Sequence, residues 1–244
     1  MKILKYKYLS NSKYKIILDD QELILYEDVI TKNNILSKKE ISEEEINKYL
    51  DENIYYELYY QALKYLKIRI RSRKEMFNYL KKYSSSNDLI NKVIDRLEEE
   101  GYIDETIYAR SYINDSILFK LDGPLKIKKY LLNMGISLSV VDQELDAFTE
   151  DICVQKINKY ISKMVKLNKN NSVQVLKQKI NQYLFNIGYS EDIINRCLEN
   201  VSFSEEGIRE KEYNKIYNKL SKKYSGKELD YKIKQKLYQK GFKQ

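Results

Sequence analysis

The sequence has no histidine and no tryptophan, and its 244 residues include only one proline and seven glycines. Histidine is the side chain most often used as a general base near neutral pH and the commonest transition-metal ligand, so many catalytic and metal sites are excluded. Proline and glycine are the residues that most destabilise helix interiors, and 33% of the residues are charged. We therefore expect a mainly α-helical protein that is not an enzyme.

Cysteines and motifs for cofactors are also scarce. The two cysteines, Cys153 and Cys197, lie far apart among apolar neighbours, which predicts buried thiols rather than a disulfide framework or a zinc site. The nucleotide signatures G-x-x-x-x-G-K-[ST] and G-x-G-x-x-G and the C-x-x-C pair do not occur, so no cofactor and no metal are expected. Neither a signal peptide nor an apolar run of membrane-spanning length is found, which predicts a cytoplasmic protein without a membrane partner.

The net charge of +8 is unevenly distributed. From residue 209 to the end there are 12 Lys and Arg against 4 Asp and Glu, whereas the preceding residues are balanced overall. Acidic runs such as "EISEEE" and "RLEEEG" lie between local basic clusters. This distribution is compatible with a polyanionic partner.

Strand patterns are confined to the N-terminus. Residues 2–8 and 14–18 alternate partly between apolar and polar, "LDDQ" supplies a turn, and "ELILYEDVI" follows. These features predict a small β-hairpin or a three-stranded sheet. Ser42 and Glu45 then form an S-x-x-E capping box, after which the apolar period is that of helices.

An internal repeat organises the helical part. The segments "NYLKKYSSS", "KYLLNMGIS", "QYLFNIGYS" and "QKLYQKGFK" align on leucines spaced by 51, 53 and 53 residues: Leu80, Leu131, Leu184 and Leu237. Glycines that could end a helix in a left-handed conformation follow the last three leucines by four residues: Gly135, Gly188 and Gly241. A period of this length fits one three-helix unit per repeat.

The repeat leads to a predicted domain organisation. We expect a β-rich segment with a linker helix at 1–53, three-helix repeats at 54–103, 104–150 and 151–203, and a partial basic repeat at 204–244. Stacked units of this kind form an elongated, curved array, which suits binding along an extended partner.

Basic residues recur at matched places in the first two repeats. The first cluster contains Arg69, Arg71, Arg73 and Lys74, and the second contains Lys126, Lys128 and Lys129. A helix N-terminus already attracts anions, so bases placed there suggest an anionic partner. That partner is either a nucleic-acid backbone or an acidic protein groove, and the alternative is a solvated helix face.

Three runs resemble the RecX family of bacterial recombination regulators: "ALKYLKIRIRSRKEMFNYL", "VIDRLEEEGYIDETIYARSYI" and "GPLKIKKYLLNMGIS". The resemblance covers about residues 55 to 244. The matching residues are Ala62, Arg69, Arg71, Ser72, Glu75, Leu80, Leu97, Gly101, Ile103, Asp104, Tyr108, Ala109, Gly123, Pro124, Ile127, Leu131 and Gly135. The sequence departs from the family at Glu105, where a second Asp is frequent, and at Tyr83-Ser84, where a Gly usually stands.

The resemblance implies a monomeric regulator that binds the groove of the RecA filament on single-stranded DNA, with weak binding to duplex DNA. It would modulate, and we expect inhibit, recombinase and coprotease activity in DNA repair and the SOS response. The candidate contact residues are Arg69, Arg71, Arg73, Lys74, Arg110, Lys126, Lys128 and Lys129. Arg71 has a structural alternative, in which it braces the helix junction with Glu75. Two other functions stay open: a stand-alone DNA-binding protein with helix-turn-helix-like units, and a protein-interaction scaffold without DNA binding.

Overall fold

The computed structural model describes residues 1–204 and 206–242, and it divides the chain into two compact units. The first unit is Met1–Tyr108 and the second begins at Ala109. Within the described residues, three β-strands lie near the N-terminus and twelve α-helices follow. The predicted fold class, mainly helical with a small N-terminal sheet, is confirmed.

The sheet of the first unit is antiparallel with the order β1-β2-β3. Its strands are β1 Ile3–Tyr8, β2 Lys13–Leu18 and β3 Glu22–Tyr26. The predicted turn joins the last two, since the Leu18 amide donates to the Gln21 carbonyl at 2.8 Å. The third strand is shorter than the run "ELILYEDVI" predicted. A helix begins at Glu27, because two acidic residues in its first turn favour a helix N-terminus.

Five helices of the first unit follow the sheet, with a 3-10 turn at Ile35–Ser37 between the first two. They are α1 Glu27–Lys32, α2 Glu43–Leu66, α3 Arg73–Leu80, α4 Asn87–Glu99 and the start of α5 Glu105–Phe119. The predicted capping box is confirmed at Ser42, whose side chain accepts from the Glu45 amide while the Glu45 carboxylate accepts from the Ser42 amide. The equivalent pair of Ser72 and Glu75 starts α3 in the same way.

Helix α2 contributes to two hydrophobic cores. Its first half places Ile46 and Tyr49 in the core beneath the sheet. Its second half places Leu58 and Ala62 in a core shared with α3 and α4. The helix is therefore continuous across position 53, the predicted boundary between the N-terminal segment with its linker helix and the first repeat.

The second unit contains the rest of α5 and seven further helices. These are α6 Pro124–Asn133, α7 Leu138–Leu145, α8 Glu150–Leu167, α9 Val173–Asn186, α10 Glu191–Glu199, α11 Glu206–Leu220 and α12 Gly226–Gln239. Helices α8, α9 and α10 pack together, and α11 pairs with α12. Among the helices described, none is both long and apolar enough to cross a membrane. The repeat boundaries stay a prediction, and the predicted fourth repeat includes residues 205, 243 and 244, which lie outside the described residues.

The glycines of the repeat end helices as predicted. Gly135, Gly188 and Gly241 have φ values of 84°, 95° and 82°, in the left-handed region. In each case the next amide donates to the carbonyl of the repeated leucine, for example from Tyr189 to Leu184 at 3.1 Å. This bond closes a Schellman-type helix end.

Both cysteines are buried and not bonded to each other, as predicted. Burial raises the pKa of the Cys153 thiol to about 11. A thiol that stays protonated at neutral pH is a poor nucleophile and metal ligand.

Candidate polyanion-binding surface

Four of the candidate basic residues belong to each unit. Arg69, Arg71, Arg73 and Lys74 lie at the junction of α2 and α3, and Arg110, Lys126, Lys128 and Lys129 lie on α5 and α6.

Arg69 is half exposed and pairs with a carboxylate in the first turn of α3. Its guanidinium contacts the Glu75 carboxylate and donates to the Ile70 carbonyl at 3.0 Å. Burial opposes ionisation of Glu75, but hydrogen bonds from Arg69 and the Ser72 amide outweigh it and hold the pKa of that carboxyl below its usual value. The capping carboxylate of α3 is therefore also the partner of the first basic residue.

Arg71 is buried, with 8% of its surface exposed. Its guanidinium carbon lies 3.8 Å from the centre of the Tyr65 ring, and Tyr65 stacks on Tyr79 at 3.9 Å. Its Nη1 atom is 3.9 Å from a carboxylate oxygen of Glu75, and its buried Nε atom has no hydrogen-bond partner among the described residues. This placement favours the structural alternative, in which Arg71 braces the junction of α2 and α3.

Arg73 is neutralised by a neighbouring helix. It contacts Asp95 at 2.7 Å and also Glu98, both on α4. The sequence around Arg73 contains a single acid, Glu75, so the local pattern overstated the net positive charge of this surface. The spacing of Asp95 and Glu98 in the sequence could have identified these partners, because residues three apart lie on one face of a helix. Lys74, on the same turn as Arg73, is exposed.

The second group is also partly paired. Arg110 forms a bidentate ion pair with Glu144 on α7, at 2.8 and 2.9 Å, and this interaction lowers the pKa of the Glu144 carboxyl. Lys126 contacts Asp122 at 2.7 Å, and Lys128 contacts Asp142 on α7 at 2.5 Å. Lys129 is exposed.

The backbone amides at the N-terminus of α6 already donate hydrogen bonds within the protein. The Gly123 amide donates to the Ile187 carbonyl at 2.7 Å, and the Leu125 amide donates to the Gly188 carbonyl at 3.1 Å. The acceptors are the carbonyls of the two residues that follow α9, so the start of α6 packs against the C-terminal end of α9. The expectation that free amides at this N-terminus attract an anion is therefore wrong, and only side chains remain to do so.

The arrangement can attract anions through its basic side chains. Ion pairs between exposed side chains contribute about 0–1 kcal/mol, so Arg73 or Lys128 can exchange its exposed carboxylate for a phosphate at little cost. In the described part of the chain no group of three or more His, Cys, Asp or Glu side chains could hold a metal ion. The surface is thus suited to reversible electrostatic contact.

Comparison with known proteins identifies relatives of this chain. A profile described as "RecX, first three-helix domain" matches residues 59–97, which include the first basic group. "Regulatory protein RecX" from Bacillus cytotoxicus is 31% identical over 218 residues, covering 88% of this chain and 81% of that protein. The protein of the same name from Halalkalibacterium halodurans is 29% identical over 243 residues, covering 96% and 91%.

Two solved structures of RecX proteins have a fold similar to that of this chain. The crystal structure of a regulatory protein RecX aligns with a TM-score of 0.71 and 24% identity, over 82% of this chain and 100% of that one, and it supports the fold. The crystal structure of RecX from Lactobacillus salivarius aligns with a TM-score of 0.56 and 28% identity, over 60% of this chain and 95% of that one. The chain belongs to the RecX family of regulatory proteins.

Proposed function

We propose that this protein binds the RecA filament on single-stranded DNA and inhibits its recombinase and coprotease activities, as a monomer in the cytoplasm. The observation that carries the proposal is the 31% identity to a regulatory protein RecX over most of both chains. We propose RecA as the target, the groove of its filament on DNA as the binding site, and inhibition as the effect. It requires no cofactor and no catalytic residue.

The contacts follow from the exposure of the basic side chains. Seven of the eight candidates would face the filament: Arg69, Arg73, Lys74, Arg110, Lys126, Lys128 and Lys129. Arg71 would act by positioning, because its guanidinium is buried against Tyr65. Most of the seven have carboxylate neighbours, which would keep attraction to naked DNA weak and sensitive to salt.

The test is the single-stranded-DNA-dependent ATPase and strand-exchange activity of the cognate RecA, titrated with this protein from well below one molecule per recombinase subunit. The proposal predicts a fall in both activities at substoichiometric amounts. Bovine serum albumin at the same concentration is the control for nonspecific effects.

The alternatives give different results. A stand-alone DNA-binding protein would leave both activities unchanged and bind particular duplex sequences tightly, because base contacts carry specificity. A protein-interaction scaffold would not bind DNA, and changes of the basic residues to neutral ones would have no effect. Unchanged ATPase and strand exchange, together with no binding to assembled filaments, would refute the proposal.

A further inference from the structure

A basic groove lies in the second unit, between the C-terminal end of α5 and the face of α8. Its volume is about 490 Å³. Four lysines line it, Lys120, Lys156, Lys159 and Lys163, and no carboxylate is among its lining residues. It therefore differs from the candidate basic groups described above, in which most of the cations have a carboxylate partner.

One of the four lysines has a structural task. Lys156 donates to the carbonyls of Ser116 and Lys120, at 3.3 and 2.7 Å, and so caps the end of α5. Burial, together with the positive charge of Lys159, lowers the pKa of Lys156. Lys159 and Lys163 are exposed, and they lie one helical turn apart, about 6 Å along α8.

Apolar side chains occupy the groove beside the lysines. Leu118 and Phe119, at the end of α5, are 70% and 81% exposed. Ile117, Leu121 and Ile152 line the same groove and are partly buried. Adjacent large apolar side chains that stay exposed commonly mark an interaction site.

The side chains favour a protein as the occupant over a nucleic acid. Single-stranded nucleic acid needs aromatic faces on which several bases can stack. Only two aromatic rings line the groove, Phe119 and Tyr160, and Tyr160 already stacks on Tyr183 at 4.9 Å. The remaining apolar wall is aliphatic, which suits Leu, Ile or Phe side chains of a peptide.

We propose that this groove binds an acidic amphipathic segment of another protein. Apolar anchors of the segment would pack against Leu118, Phe119 and Ile152, while carboxylates one turn apart would face Lys159 and Lys163. A helix with apolar residues at i, i+3, i+4 and i+7 and flanking Glu residues meets these demands. The proposal does not depend on RecA binding by the other basic residues.

The probe is a fluorescein-labelled helical peptide of Leu and Glu, about 16 residues long, and binding is followed by anisotropy with the full-length protein. We expect saturable binding that the double variant Lys159→Glu/Lys163→Glu weakens at least about tenfold, chiefly by charge repulsion. Leu118→Ala/Phe119→Ala should weaken it by a similar factor through loss of the apolar anchors. Of the two double variants, only Lys159→Glu/Lys163→Glu should reduce the salt dependence of the association rate.

Two controls make the result specific. Lys48→Glu/Lys92→Glu changes the net charge equally at exposed lysines of the first unit and should leave binding unchanged. Circular dichroism should show the same helix content in all variants. The proposal is overturned if the peptide does not bind, or if the groove variants bind it like the unaltered protein. It is also overturned if an oligothymidylate of about 20 nucleotides binds in its place and loses affinity in both groove variants, which would identify a nucleic-acid site.

Discussion

Gly123 and Gly188 meet backbone to backbone in the second unit. A Cβ atom on Gly123 would lie 2.5 Å from the carbonyl carbon of Gly188, and one on Gly188 would lie 2.4 Å from the amide nitrogen of Lys126. The contact joins the start of α6 to the end of α9, where the hydrogen bonds to Ile187 and Gly188 are made. The repeated glycine therefore has a second task besides ending its helix.

Substitution of Gly188 tests this double role. Gly188→Ala should destabilise the protein by the left-handed strain, about 1–2 kcal/mol, and additionally by the clash with the backbone of Lys126. Gly135→Ala is the matched control, because Gly135 has a similar φ of 84° but nothing within 4 Å of an added Cβ. The free energy of unfolding, measured in urea by circular dichroism, should fall by about 1–3 kcal/mol more for Gly188→Ala. Equal losses would show that the close approach to α6 contributes nothing.

Arg71 and Arg69 should respond differently to truncation. Arg71→Ala removes a buried guanidinium stacked on Tyr65 and should lower the free energy of unfolding by about 2 kcal/mol. Arg69→Ala removes a half-exposed group paired with Glu75 and should cost less than about 1 kcal/mol. Urea unfolding of both variants checks the difference. If Arg71→Ala is as stable as the unaltered protein, Arg71 does not brace the junction.

The acid sensitivity of the first unit should depend on Glu45. A hydrogen bond from the Lys38 ammonium group, followed by one from the Ser42 amide, lowers the pKa of Glu45 to about 2 from an ordinary value of 4.5. Because the folded state favours the ionised carboxylate, its contribution to stability is complete above about pH 4.5 and is lost as the pH falls toward about 2.

Glu45→Gln removes this titration. The variant should be less stable near neutral pH, and its stability should fall less steeply between about pH 4.5 and 2. Thermal unfolding followed by circular dichroism across this range measures both effects. If the stabilities of Glu45→Gln and of the unaltered protein differ by the same amount at every pH, Glu45 has no perturbed pKa in the folded protein.

Features encoded over a few residues were predictable from the sequence. The capping box at Ser42 and the left-handed glycines depend on spacings of three or four residues, and the structure has them as predicted. The Asp104 side chain likewise accepts from the amide of Ile107, three residues later, at 2.8 Å, and so caps the start of α5.

Features formed by distant residues were not predictable. The partners of Arg73 come from α4, and the carbonyls that bond the start of α6 come from the two residues after α9, more than 60 residues later in the chain. Burial of Arg71 likewise depends on Tyr65 and on the packing of α3 against α2. A local charge pattern identifies where cations lie, but not which carboxylates fold against them.

The most direct test of the account uses the two members of one ion pair, Lys128 and Asp142, which contact each other at 2.5 Å. Binding of labelled RecA filaments on single-stranded DNA should weaken severalfold for Lys128→Glu and tighten for Asp142→Asn, because the second change releases Lys128 from its carboxylate. A role confined to folding would instead weaken binding in both variants, through loss of the same ion pair. Unchanged affinity in both variants, or weaker binding in both, would contradict the claim that Lys128 contacts the filament.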